Sequence, residues 1–383
     1  MKDIDTQDGC ESLTMSKETN RNGDSSTNSN RTFGRREFLA AGATGASLAL
    51  AGCSGGSPGE SSVELDVAVW SGTYAERFEE VVANGYEEET GVTVNVSPAG
   101  GEILSQLQAA SDDPPYDVVS ADELYYHLGV NDGLYNKLRP ENVPNLDNVY
   151  SFLKEKPGQG MEYGVPSDGE LLGIAYGVDE MSGADWEKMQ ETDDNTGFEG
   201  VFYIYPMMIG AILSDKKSGI EEIYHESDHQ AVFDEFRELA QNVDIWTASA
   251  AEIFNGIEQG IITHAMWYSG MAYAEASANE NIDVAIPERT GGYVNNYCTV
   301  NGTDKREEGE KFLNYMLRED VQTEWAEKGY NFMANKNVEY PDMTADVYPT
   351  SNEEMKSISF VNFDRLGELQ TPLTNKFDEI KKA

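Results

Sequence analysis

The chain has 383 residues, with 69 Asp and Glu against 27 Lys and Arg and a formal net charge of -42. That balance argues against nucleic acid as a partner, because phosphate binding needs clustered Lys and Arg and the sequence has no long basic run. A disordered polyanion is excluded too, since 39% hydrophobic and 10% aromatic residues supply the apolar surface that packed cores require.

Residues 31–53, RTFGRREFLAAGATGASLALAGC, carry the pattern of a twin-arginine export signal: Arg35 and Arg36 precede Phe38, Leu39 and a run of small and apolar residues. A transmembrane helix is the competing reading, but Leu39 to Gly52 falls short of the ~20 strongly apolar residues that span a bilayer. Leu50-Ala51-Gly52-Cys53 ends the run like a lipobox, so Cys53 is expected to become a lipidated N-terminus. Residues 1–52 are then a removed signal, and 53–62, rich in Gly, Ser and Pro, a flexible tether. The twin-arginine translocase is the implied partner in export, the passenger folds before crossing, and its place is the outer face of the cell membrane. With Cys10 in the leader and Cys53 lipidated, Cys298 is left alone and no internal disulfide can form.

From Val63 onward the periodicity alternates. Val63 to Val69 reads as a strand, Tyr74 to Glu89 as a helix with Phe78, Val81, Val82 and Tyr86 on its apolar face, and Val92 to Val96 as a second strand, which together make a βαβ unit. Ile103, Leu104 and Leu107 mark a helix, and the turn signal at Asp112-Asp113-Pro114-Pro115 announces a strand over Tyr116 to Ser120. His225 and His229 have the i, i+4 spacing of one helix face and could hold zinc, but HEXXH is absent and a solvated helix start explains them equally well. Later, Val232 to Ala240 and Ala250 to Ile257 look helical, Ile261 to Trp267 is a strand, Met271 to Ala278 a helix and Ile282 to Ile286 a strand. Such alternation predicts an α/β fold with mixed or parallel sheets flanked by helices. The length beyond the tether exceeds what one hydrophobic core serves, so two lobes are expected.

In α/β sheets ligands gather beyond the carboxyl ends of strands, which here are Trp70 to Tyr74, Ser120 to Asp122 and Trp267 to Ser269. A carboxylate beside Trp and Tyr faces suits a desolvated ammonium, where cation–π attraction contributes about 2 kcal/mol. Core packing is the competing reading for each aromatic residue, and a helix N-cap for Asp122.

Three blocks in the first half, FEEVVANGYEEETGVTVNV, YDVVSADELYYHLGVNDGLYNKL and YGVPSDGELLGIAYGVDEM, resemble the opening lobe of family 1 extracellular solute-binding proteins, nearest their spermidine/putrescine-binding branch. In the second half IEQGIITHAMWYSGMAYAEA, IDVAIPERTGGY and KREEGEKFLNYMLREDVQTEWAEKGYNFMANK match in order and spacing. The resemblance implies a two-lobed periplasmic-binding-protein-like fold of type II, with a hinge between the lobes. A small ligand is held in the interlobe cleft and handed to an ABC permease in the membrane. It places residues 63–165 and 297–335 in lobe 1 and 166–296 and 336–383 in lobe 2, with crossings near Tyr163 to Pro166 and Gly292 to Tyr297. It carries no cofactor, metal or catalytic residue, and the protein is expected to be a monomer.

By the same resemblance Tyr74, Trp267 and Tyr330 match pocket aromatics, and Asp122 stands where the polyamine binders tend to carry Ser or Thr. Trp70, Tyr268 and Tyr297 complete the expected ligand-binding set. The branch's acidic residues after the strand corresponding to Gly200 to Tyr205 are replaced by Pro206, Met207 and Met208, and its acidic residue after the Gly-Gly strand by Asn295, Asn296 or Tyr297. A dication would lose its charge partners there, so a ligand with one cationic end suits the residues better, with Asp168 and Glu170 as further candidate carboxylates.

Thiamine-like heterocyclic cations fit the same aromatic and acidic groups. Ferric ion fits less well: Trp267-Tyr268 stands where iron binders carry a tyrosine pair, Tyr125-Tyr126 lies in the other lobe, and a hard ion needs several convergent oxygens. An exported lipid-anchored hydrolase is the rival of another class, with Asp122-Glu123 or Asp168 and Glu170 as acid and base. No GXSXG, HEXXH or GXXXXGK[ST] supports it. Asn95 and Asn301 open N-X-S/T sequons.

The acidic excess fits a halophile, because at about 1 M salt the Debye length falls to about 3 Å and self-repulsion of the shell is screened. The protein is therefore expected to unfold as salt is lowered. A melting temperature unchanged between molar and millimolar salt would rule out that adaptation.

Overall fold

The run after Val63 forms strand β1 (Glu64–Trp70) in the computed structural model, which describes residues 63–156, 162–179, 185–215 and 219–383. The export signal, Cys53 and the tether lie outside the described residues. Residues 73–90 are helical throughout, with a π turn over Glu79–Ala83, and end at Gly91, whose φ of 74° is the left-handed conformation that glycine adopts without a Cβ clash. β2 (Thr93–Ala99) lies parallel to β1 with Glu64 opposite Thr93, so the expected βαβ unit is present. After the helix Glu102–Ala109, β3 (Val118–Ala121) pairs in parallel with the other side of β1.

β4 (Val165–Gly177), β5 (Thr196–Glu199), β6 (Val243–Thr247), β7 (His264–Tyr268), β8 (Ile282–Ala285), β9 (Gly292–Thr299) and β10 (Phe332–Met333) complete the sheet. Its order is β2-β1-β3-β9-β4-β7-β5-β6, with β8 and β10 paired to β4 off that path. Parallel pairs occur at both ends, β1 with β2 and β3, and β5 with β6 and β7, while the centre is antiparallel. β4 runs 13 residues: its first half pairs with β9 and β10, its second half with β7 and β8.

The core divides accordingly. Leu65, Val67, Val69, Phe78, Val118, Phe312 and Trp325 pack in one cluster, while Ala68, Leu107, Val119, Tyr126 and Cys298 fill the opposite face of β1 and β3. Successive strand residues point to opposite faces, so strands covered on both sides read as continuous apolar runs. A further cluster gathers Leu172, Phe198, Met207, Ile212, Phe236 and Met266. β4 passes from one environment to the other between Leu171 and Leu172, and the chain passes again between Phe360 and Val361.

Two expectations are corrected. Gly200 to Tyr205 is not a strand: β5 ends at Glu199, whose carboxylate accepts the N–H of Val201 and of Phe202, and the helix Ile204–Asp215 starts at once with Pro206 in its first turn. Proline is tolerated there because first-turn N–H groups have no intrahelical partner. His225 and His229 do not share a helix face. His225 has extended backbone after the short 3-10 turn Glu221–Tyr224, whereas His229 opens the helix His229–Ala240 and its Nε2 lies 2.9 Å from the Ile223 carbonyl.

Candidate functional site

Strand ends and helix starts from both halves of the sheet converge on a cavity of about 220 Å³. Trp70 closes β1, and Ser71 and Tyr74 follow it; Asp122 stands just after β3, Glu199 ends β5, and Trp267 and Tyr268 end β7. Glu170 from the middle of β4, Tyr293 from β9, and Phe202, Tyr205, Ala248 and Met271 complete the wall. Among these lining residues there is no Lys, Arg or His.

The three carboxylates are buried and held by backbone donors. Asp122 caps the helix Glu123–Asn131, its Oδ1 accepting the Tyr125 N–H at 2.8 Å, so it is both an N-cap and a cavity residue. Glu170 Oε2 accepts the N–H groups of Gly270 at 2.8 Å and Met271 at 3.3 Å, where the helix Ser269–Ala278 begins, and its Oε1 accepts the Tyr293 hydroxyl at 3.1 Å. Glu199 Oε1 accepts Val201 N–H at 2.8 Å and its Oε2 accepts Phe202 N–H at 2.6 Å. Burial pushes Asp122 and Glu199 up to about 7 and raises Glu170 as well, against the lowering effect of those hydrogen bonds. Glu123 adds to the rise at Asp122, and Lys381 opposes it at Glu199.

Asp168 lies behind the wall. Its Oδ1 accepts the Tyr74 hydroxyl at 3.0 Å, and its Oδ2 accepts the Asn295 and Asn331 amides at 3.0 and 3.2 Å. Asn295 Oδ1 in turn accepts Trp70 Nε1 at 2.9 Å, so this buried network fixes both aromatic residues of the first strand end. Burial raises Asp168 to about 7 too.

Of the residues expected from sequence, Trp70, Tyr74, Asp122, Trp267 and Tyr268 come together around the cavity. Tyr297 and Tyr330 are not among its lining residues. Tyr297 is fully buried, stacks on Phe78 at 5.5 Å and meets the Tyr74 hydroxyl at 2.9 Å, so it supports a wall residue from behind. Tyr330 ends the helix Glu319–Gly329 in the left-handed region with φ 55°, its carbonyl accepting the Tyr348 hydroxyl. Of the two further candidate carboxylates, Glu170 faces the cavity and Asp168 does not.

Glu199, Phe202, Tyr205 and Tyr293 were not expected. Glu199, one residue ahead of the misread strand, brings a second-half carboxylate to the cavity from the end of β5. Rings dominate the surface: Tyr205 and Tyr268 meet at 5.4 Å and 86°, Tyr268 and Tyr293 at 5.5 Å and 89°, and Trp267 lies 5.6 Å from Tyr268. The indole N–H of Trp267 and the hydroxyl of Tyr268 are buried without a hydrogen-bond partner among the described residues. Aromatic faces and buried carboxylates in a lining without a basic side chain attract a cation and repel an anion.

Comparison with known proteins places this geometry. The profile of bacterial extracellular solute-binding proteins matches residues 81–350. The spermidine/putrescine ABC transporter substrate-binding protein PotD from Streptococcus pneumoniae is similar in structure, with a TM-score of 0.69 at 18% identity over 84% of this chain and 100% of that one. An ABC transporter substrate-binding protein from Bradyrhizobium japonicum gives 0.71 at 15% identity over 83% and 99%. MotA from Agrobacterium tumefaciens, "A. tumefaciens B6", solved with glucopine, gives 0.66 at 16% identity over 83% and 100%. No curated protein sequence matches the chain. The expected solute-binding-protein fold is thus the observed one, and the profile match over most of the chain shows that it belongs to the family of bacterial extracellular solute-binding proteins.

Proposed function

We propose that this member of the family captures a small organic cation, of which polyamine-like amines are one class, and delivers it to an ABC permease. The family accounts for a small-molecule ligand, a permease partner and a place outside the cytoplasm. The anchor on Cys53, twin-arginine export, the two-lobe boundaries and the monomeric state are proposals from sequence. Similar structures were solved or named with unlike ligands, spermidine or putrescine in one case and glucopine in another, so the ligand class has to rest on this chain's own cavity. The observation that carries it is the meeting of Asp122, Glu170 and Glu199 in one buried, ring-lined cavity whose lining has no basic side chain. The abundance of rings keeps a heterocyclic cation of the thiamine kind as a second reading.

Titration calorimetry with putrescine, spermidine and thiamine tests the reading. Asp122→Asn and Trp267→Ala are each expected to weaken the cation that binds by about 1 to 3 kcal/mol. Asn caps a helix nearly as well as Asp, so the first variant keeps its fold. The two effects are expected to be non-additive, because both groups act on one desolvated charge. Full affinity in Trp267→Ala at an unchanged melting temperature would return that ring to the core.

A further inference from the structure

We propose that the cavity selects a methylated ammonium headgroup over a primary amine, an inference that rests on the cation reading above. A primary ammonium carries three N–H donors, each of which needs an acceptor once the site is dry. Of the six carboxylate oxygens around the cavity, both of Glu170, both of Glu199 and Oδ1 of Asp122 already receive backbone or tyrosine donors. Their negative charge reaches the cavity, but their lone pairs are directed largely into the protein. What faces the ligand is mainly ring carbon.

A methylated ammonium makes the opposite demand. It spreads its charge over C–H groups, needs no acceptor for each of them, and is attracted by ring faces in a negative field. Tyr205, Tyr268 and Tyr293 form a corner of mutually near rings, the third pair at 5.7 Å, with Trp267 beside it. The Tyr205 phenol feels Asp122, Glu199 and Glu170 together, so the three carboxylate fields meet at that corner. The cavity of about 220 Å³ has room for a compact headgroup with a short tail.

Choline and ethanolamine, which differ only in the three methyl groups on nitrogen, are the probes, titrated by calorimetry at fixed high salt and neutral pH, with putrescine and tetramethylammonium alongside. Choline is expected to bind at least tenfold more tightly than ethanolamine, since each unmatched N–H costs about a factor of ten. Ethanolamine or putrescine binding as tightly as choline overturns the proposal while leaving the cation reading intact. Binding of none of these cations overturns both. Tyr268→Leu is expected to shrink the choline-to-ethanolamine ratio, whereas Glu199→Gln should weaken both probes alike; if Tyr268→Leu fails to fold, the wild-type ratio decides.

Discussion

Unliganded protein held at constant high salt is expected to lose stability as the pH rises from about 4 to about 7. Asp122 and Asp168 move from an ordinary 3.8 to about 7 on folding, and Glu199 from 4.5 to about 7, in each case chiefly because burial penalises the charge. The folded state therefore holds protons that the unfolded chain releases, and the stability linked to them is fully present below the unfolded values and lost as pH climbs through 7. At 1.36 kcal/mol per unit this amounts to about 3 to 4 kcal/mol for each group taken alone. Asp168 feels Glu170, so the buried carboxylates release protons as a set and the loss is spread over the window. Asp320 and Glu221, held low by Arg318 and Arg365, act in the opposite sense and lose their contribution as pH falls. The stability maximum thus lies on the acid side of neutrality. Thermal melts across pH check it: Asp122→Asn and Glu199→Gln should each flatten the slope, a bound cation should remove part of it, and a flat wild-type profile would refute buried, unpaired carboxylates.

The same cavity marks where sequence sufficed and where it did not. β1, the helical residues 73–90 and β2 were legible because each keeps one period and one buried pattern along its length. β4 was not, since its first half, VPSDGEL, lies in one core and its second half, LGIAYG, enters another, so no single period describes it. Glu170 sits just before that change. Along β9, Tyr293, Asn295 and Tyr297 lie on one side of the strand, but only Tyr293 reaches the cavity, while the other two recede toward Asp168 and Tyr74. Glu199 was hidden by the run Val201 to Tyr205, whose β-branched and aromatic residues imitate a strand. The carboxylate of Glu199 itself ends that possibility by taking the N–H groups a strand would pair.

Removing one partner of the ion pair beside the cavity is expected to be strongly destabilising. Lys156 Nζ donates to Glu123 Oε1 at 2.7 Å, with the side chains only 5% and 3% exposed, and the ammonium also lies 4.4 Å from the Phe360 ring centre. Burial drives Glu123 up and Lys156 down, and each restrains the other's shift. Lys156→Ala would leave Glu123 buried next to Asp122 and is expected to destabilise by about 3 to 5 kcal/mol. It also acts on the site, because a Glu123 forced to keep its charge raises the proton affinity of Asp122, while one that takes a proton withdraws negative field from the ligand. Replacing both partners, Glu123→Gln with Lys156→Met, is expected to recover most of the loss, since well-packed neutral groups replace a buried pair at little net cost. Melts of the two single variants and the double variant form a cycle that isolates the pair. Strict additivity, or a Lys156→Ala variant as stable as the wild type, would show that Glu123 is solvated and that the carboxylate edge of the cavity is wetter than its geometry implies.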